Sequence, residues 1–163
     1  MALLTLWIAI LLGQPRPAGE PAAAAQVKAA VVRPPADPQI DKQIDLVKNL
    51  LMANNLEKAE VLLKELLGQF PYEGMLYFLQ GDLYLYRQQP LQAMLEYKKA
   101  VELNPDLLDK KMKIFQGKKI KKTVEEARLA VEAALAANPG DRAMRENRTV
   151  VYYMLRLLAG SCG

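Results

Sequence analysis

The sequence has no histidine in its 163 residues and a single cysteine, Cys162. Without imidazole there is no base for a Ser-His-Asp or Cys-His nucleophilic arrangement. The commonest side-chain ligand for zinc and copper is missing too. One cysteine forms neither an internal disulfide nor a thiolate cluster. Glycine is sparse, at nine residues, and neither a GxGxxG nor a GxxxxGKS phosphate loop occurs. Paired carboxylates are the remaining acid–base device, and Asp41/Asp45 and Glu125/Glu126 read as helix N-terminal charges. No catalytic residue, metal site or cofactor is expected, which leaves binding and scaffolding functions.

Enough of the chain is apolar, 52%, to build a core at this length. Charge is uneven. Residues 40–107 carry seven Lys/Arg against ten Asp/Glu, and residues 108–163 carry twelve against six. The middle is mildly acidic and the C-terminal third basic.

MALLTLWIAILL opens the chain without a charge. As a helix it would span about 18 Å, short of a hydrocarbon core of about 30 Å. It suits a signal peptide or a short membrane anchor over residues 1–25, with Ala23–Ala25 as a small-residue cleavage region. The expected location is therefore exported, periplasmic or anchored in the inner membrane facing the periplasm, with a cytoplasmic chain as the alternative. Residues 26–38 continue a Pro/Ala-rich stretch that reads as a semi-extended linker.

From residue 39 the apolar spacing becomes helical, with Ile40, Ile44, Val47, Leu50 and Leu51. A period of 34 residues then emerges in four columns: Ala59/Ala93/Ala127, Leu63/Tyr97/Val131, Leu66/Ala100/Ala134 and Pro71/Pro105/Pro139. Each unit reads as two helices joined by a tight turn, at Asn54-Asn55, Gln88-Gln89 and Lys122-Thr123. The alanine permits close helix approach, the next two columns pack inward, and the proline ends the unit. Thr123 with Glu126 forms a T-x-x-E capping box, which predicts a helix start there. Pro90 suits a first helical turn.

The middle unit, GMLYFLQGDLYLYRQQPLQAMLEYKKAVELNPDL, resembles a tetratricopeptide repeat (TPR). Tyr77, Gly81, Tyr84, Ala93, Tyr97, Ala100 and Pro105 occupy the signature places. The outer units depart from the pattern in their first helices, with Val47 and Leu50 in one and Phe115 and Lys118 in the other. The resemblance implies an all-α fold over residues 39–159. It would be a right-handed superhelix of repeats 40–73, 74–107 and 108–141, closed by a capping helix over 142–159, with residues 160–163 as a tail. It also implies a concave groove for a peptide or helix of a partner protein, as in a non-enzymatic scaffold or assembly factor of a bacterial cell envelope. The matching groove positions are Ile44, Lys48, Leu51 and Met52; then Met75, Phe78, Asp82, Leu85 and Tyr86; then Met112, Gln116 and Lys119.

Lys110 to Lys122 reads KKMKIFQGKKIKK, seven lysines in thirteen residues. In the repeat register this is the third unit's first helix and turn. Lys118, Lys119, Lys121 and Lys122 would then sit at a helix C-terminus, where they complement its dipole. With Lys110, Lys111 and Lys113 they form a basic patch. It could be a solvated face, or it could meet an acidic partner or an anionic membrane surface. Nucleic acid is disfavoured, because one aromatic residue and no arginine interrupt the run.

Overall fold

The computed structural model describes residues 38–160. The expectations for residues 1–37, and for Cys162 in the tail, lie outside the described residues. Those described are all-α, with six α-helices, one 3-10 turn and no strand. The helices are α1 (Pro38–Met52), α2 (Leu56–Gln69), α3 (Gly74–Tyr86), α4 (Pro90–Leu103), α5 (Gly117–Ala137) and α6 (Arg142–Gly160). The 3-10 turn, Pro105–Leu108, follows α4. No described helix is long and apolar enough to cross a membrane.

Consecutive helices pack along one another, so the chain forms three hairpins: α1–α2, α3–α4 and α5–α6. The first two share one turn geometry. Asn54 and Gln88 adopt left-handed φ values of 54° and 57°. In each turn the next amide reaches back to the last helical turn, Asn55 N–H to Leu50 O and Gln89 N–H to Tyr84 O, both at 2.9 Å. This cap satisfies carbonyls that the helix end would otherwise orphan. The two left-handed residues are 34 positions apart, so the sequence period is also a backbone period.

The third unit breaks that period. The expected turn at Lys122-Thr123 is absent, because α5 runs unbroken from Gly117 to Ala137. Lys122, the place equivalent to the left-handed Asn54 and Gln88, stays within the helix. The Thr123 hydroxyl does not cap a helix start; it donates to Lys119 O, four residues back, at 3.2 Å. The expected first helix of repeat 108–141 is missing as well. Residues 109–116 form successive turns outside any helix. Asp109 accepts the Lys111 N–H at 2.8 Å, closing a local turn. Gln116 N–H donates to Leu107 O at 2.7 Å and delivers the chain to α5. The closing helix expected over 142–159 is found as α6, Arg142–Gly160, and packs against α5 as the second helix of the third hairpin. Asp141 starts it by accepting the Met144 N–H at 3.0 Å.

Two packing columns survive this change, whereas in the third Leu66 and Ala100 are buried and Ala134 is half-buried. Ala59, Ala93 and Ala127 are fully buried, as are Leu63, Tyr97 and Val131. Gly81 explains the close approach within the middle hairpin. A Cβ there would fall 2.4 Å from Cε1 of Tyr97 and 3.1 Å from Ala93 O. The Tyr97 ring therefore lies directly on the α3 backbone. Gly74 does the same at the other end of the hairpin, where a Cβ would meet Asn104 at 2.7 Å.

Candidate functional site

The residues expected to line a groove fall into three groups. Ile44, Leu51 and Phe78 are buried in the core, Phe78 only 4% exposed. They support the fold and offer nothing to a ligand, which corrects their expected place in the groove. Lys48, Met75, Asp82, Leu85 and Gln116 are half-buried. Met52, Tyr86, Met112 and Lys119 are exposed. Met112 and Gln116 lie in the turn segment before α5, so they share no helix face with Lys119 as the repeat register had implied.

α1 and α3 pack side by side. Met52 is the last residue of α1, and Tyr86 is the last of α3, 34 positions later. Equivalent places on adjacent helices are thus occupied by large apolar side chains, 70% and 48% exposed. The next equivalent, Ile120, is buried on α5.

Beside this pair lies a polar cluster. Asp82, its side chain 13% exposed, accepts hydrogen bonds from the Tyr97 hydroxyl and from Lys119 Nζ at 3.0 and 3.1 Å. The same ammonium stands 5.1 Å from the Phe78 ring centroid, a cation–π distance. Phe78 in turn stacks on Tyr97, with centroids 4.9 Å apart. Burial, reinforced by the Asp82 charge and hydrogen bond, pushes the Tyr97 phenol far above its usual range. It stays a donor to Asp82. Three of the expected groove residues, Phe78, Asp82 and Lys119, are therefore brought together, but as a bond between hairpins.

The sequence reading missed two features. Tyr97 was assigned to packing alone, although a buried tyrosine hydroxyl needs a partner and Asp82 was within reach on the facing helix. Arg87 makes a two-pronged pair with Glu60, at 2.7 and 3.1 Å, clamping α2 to the end of α3. The Arg87 hydrogen bond holds the Glu60 carboxyl below its ordinary pKa. A local sequence pattern does not expose a pairing across 27 residues.

All seven lysines of the basic run are exposed. Lys110, Lys111 and Lys113 belong to the turn segment. Lys118, Lys119, Lys121 and Lys122 occupy the first two turns of α5. The expected dipole benefit is therefore reversed, because these cations sit at the positive end of a helix. Elsewhere, an open recess of about 590 Å³ lies between α4, the 3-10 turn and α6, lined by Val101, Glu102, Leu108, Tyr153 and Leu157 among others. Among the described residues, no group of acidic or cysteine side chains is placed to hold a metal ion. Comparison with protein-family models, with curated proteins and with solved structures found no match.

Proposed function

We propose that this chain is a non-enzymatic protein-binding module, a TPR-like superhelical array in which helix ends of successive hairpins hold an apolar segment of a partner protein. The observation that carries the reading is the pair Met52 and Tyr86, equivalent residues on adjacent helices and both exposed. Large apolar side chains repeated at a fixed structural position offer regularly spaced seats for an amphipathic helix or an extended peptide. Methionine adds an adaptable contact, and tyrosine a rigid one. Leu85 and Met75, half-buried on α3, extend the apolar surface. Asp82 and Lys119 supply a polar edge. The 34-residue period in both columns and turns supports the TPR likeness. The apolar run Met1–Leu12 supports an envelope location, with the array acting as a scaffold or assembly factor.

The test is retention of a partner from the native cell extract by wild type and by Met52→Glu with Tyr86→Glu, washed at high salt. Apolar contact survives screening, which weakens exposed ion pairs. The double variant should lose a partner that wild type keeps. Equal retention by both would reject this face. Phe78→Ala is unsuitable as a probe, because it opens a core cavity.

A further inference from the structure

We infer that the turn segment 109–116, together with the start of α5, is a docking surface for anionic lipid headgroups. The starting observation is charge without compensation. Of the seven lysines, Lys119 is bound to Asp82, and Lys122 lies 3.8 Å from Glu126. The other five, Lys110, Lys111, Lys113, Lys118 and Lys121, have no ion pair among the described residues. The acid of the segment, Asp109, spends a carboxylate oxygen on the Lys111 amide. Lys118 and Lys121 also oppose the α5 dipole, which disfavours cations over the first turns. Gln116, at the N-cap, offers no side-chain bond to the free amides of α5. The fold's own stability therefore gains nothing from this charge, and an external anion would relieve it.

Composition selects the kind of anion. No arginine occurs between Arg87 and Arg128, so the surface lacks the planar fork that reads carboxylates, phosphopeptides or base edges bidentately. Lysine ammoniums are mobile, hydrated point charges. They suit the diffuse field of a charged lipid surface, where clusters of four to eight basic residues are the usual footprint. Met112 lies between Lys111 and Lys113 and is 41% exposed. Phe115, packed against Gly117, and the half-buried Ile114 hold the base of the segment. The result is a lysine-flanked apolar tip, the combination that lets a surface contact use both headgroup charge and the acyl boundary. This inference does not depend on the Met52/Tyr86 face, and either can fail alone.

Co-sedimentation of the full-length chain with vesicles tests it, using phosphatidylcholine alone and phosphatidylcholine mixed with phosphatidylglycerol. Two charge-matched variants are compared. One replaces Lys110, Lys111 and Lys113 by Gln; the other replaces Lys42, Lys58 and Lys64, exposed on α1 and α2, by Gln. Each lysine near an anionic surface contributes roughly fivefold to binding. The segment variant should therefore lose at least about tenfold on anionic vesicles, while the α1/α2 variant keeps its binding. Superimposable thermal melts would show that all three chains are folded. Equal binding to both vesicle types, or equal losses in both variants, would overturn the inference. So would capture of a polyglutamate peptide without binding to anionic vesicles, which would make the surface a protein-docking one.

Discussion

Gly81→Ala and Gly68→Ala are the same chemical change, and the structure predicts opposite outcomes. At Gly68, on α2, an added Cβ meets nothing within 4 Å. Only the propensity difference operates there, and alanine should stabilise by about 0.5–1 kcal/mol. At Gly81 the same methyl lands 2.4 and 2.5 Å from Tyr97 ring carbons and 3.1 Å from Ala93 O. The ring has nowhere to retreat, because it is fully buried, stacked on Phe78 and hydrogen-bonded to Asp82. Overpacking costs about 1–3 kcal/mol. Shifting the ring also weakens an aromatic pair of about 0.5–1.5 kcal/mol and a bond to a charged group of about 1.5–3 kcal/mol. After the propensity gain of about 1 kcal/mol, the net loss should be about 2–4 kcal/mol. Urea unfolding followed by circular dichroism reads this as a midpoint lowered by about 1–2 M. Adding Tyr97→Leu should recover part of the loss, making the double variant more stable than additivity allows. A Gly81→Ala protein as stable as wild type, or losses that simply add, would refute the packing of Tyr97 on α3.

Ala93→Leu should cost about 1–3 kcal/mol, since Ala93 is fully buried where α4 meets α3; a wild-type melting curve would count against the close helix approach. Gln88→Gly should stabilise by roughly 1 kcal/mol, because the left-handed φ of 57° strains a side-chain-bearing residue; an unchanged urea midpoint would argue that the turn is not formed as described. Glu96→Gln should show a pH-dependent gain. Burial raises the Glu96 pKa from its ordinary value, with Lys99 opposing, so its ionisation is harder folded than unfolded. The stability this group allows is full below the unfolded pKa and falls as pH rises through the folded value. Glutamine removes that penalty, so the variant should melt higher than wild type at neutral pH and match it below about pH 4. A difference constant across pH would exclude the desolvation cause.

The all-helical fold and its burial pattern were legible because they rest on periodic side chains. The alanine column and the Leu63/Tyr97/Val131 column are buried as their spacing required. The third unit was not legible, because a helix break is decided locally. At Lys122, equivalent to the left-handed Asn54 and Gln88, the chain continues as helix, and residues 109–116 close local turns instead of a helix. The column residues in α5 are the same whether the helix starts at 117 or 123, so the period could not show the fusion. That one error inverted the electrostatic meaning of Lys118–Lys122, from the favoured end of a helix to the disfavoured one. At the candidate face, sequence register identified Met52 and Tyr86 but could not separate them from Phe78. Register gives the angle around a helix, whereas burial depends on what is laid across it; here that is the Tyr97 ring from the partner helix α4 and the Lys119 side chain from the next hairpin.

Site-specific photo-crosslinking in the native cell tests the protein-binding face most directly. A photoreactive phenylalanine is placed in turn at Met52, Tyr86, Val61 and Leu129, all exposed apolar positions. Val61 and Leu129, on α2 and α5, control for general stickiness. A discrete adduct of the same mass from positions 52 and 86, absent from 61 and 129, is the predicted result. Adducts that form equally from all four, or only from 61 and 129, would contradict partner binding at the ends of α1 and α3.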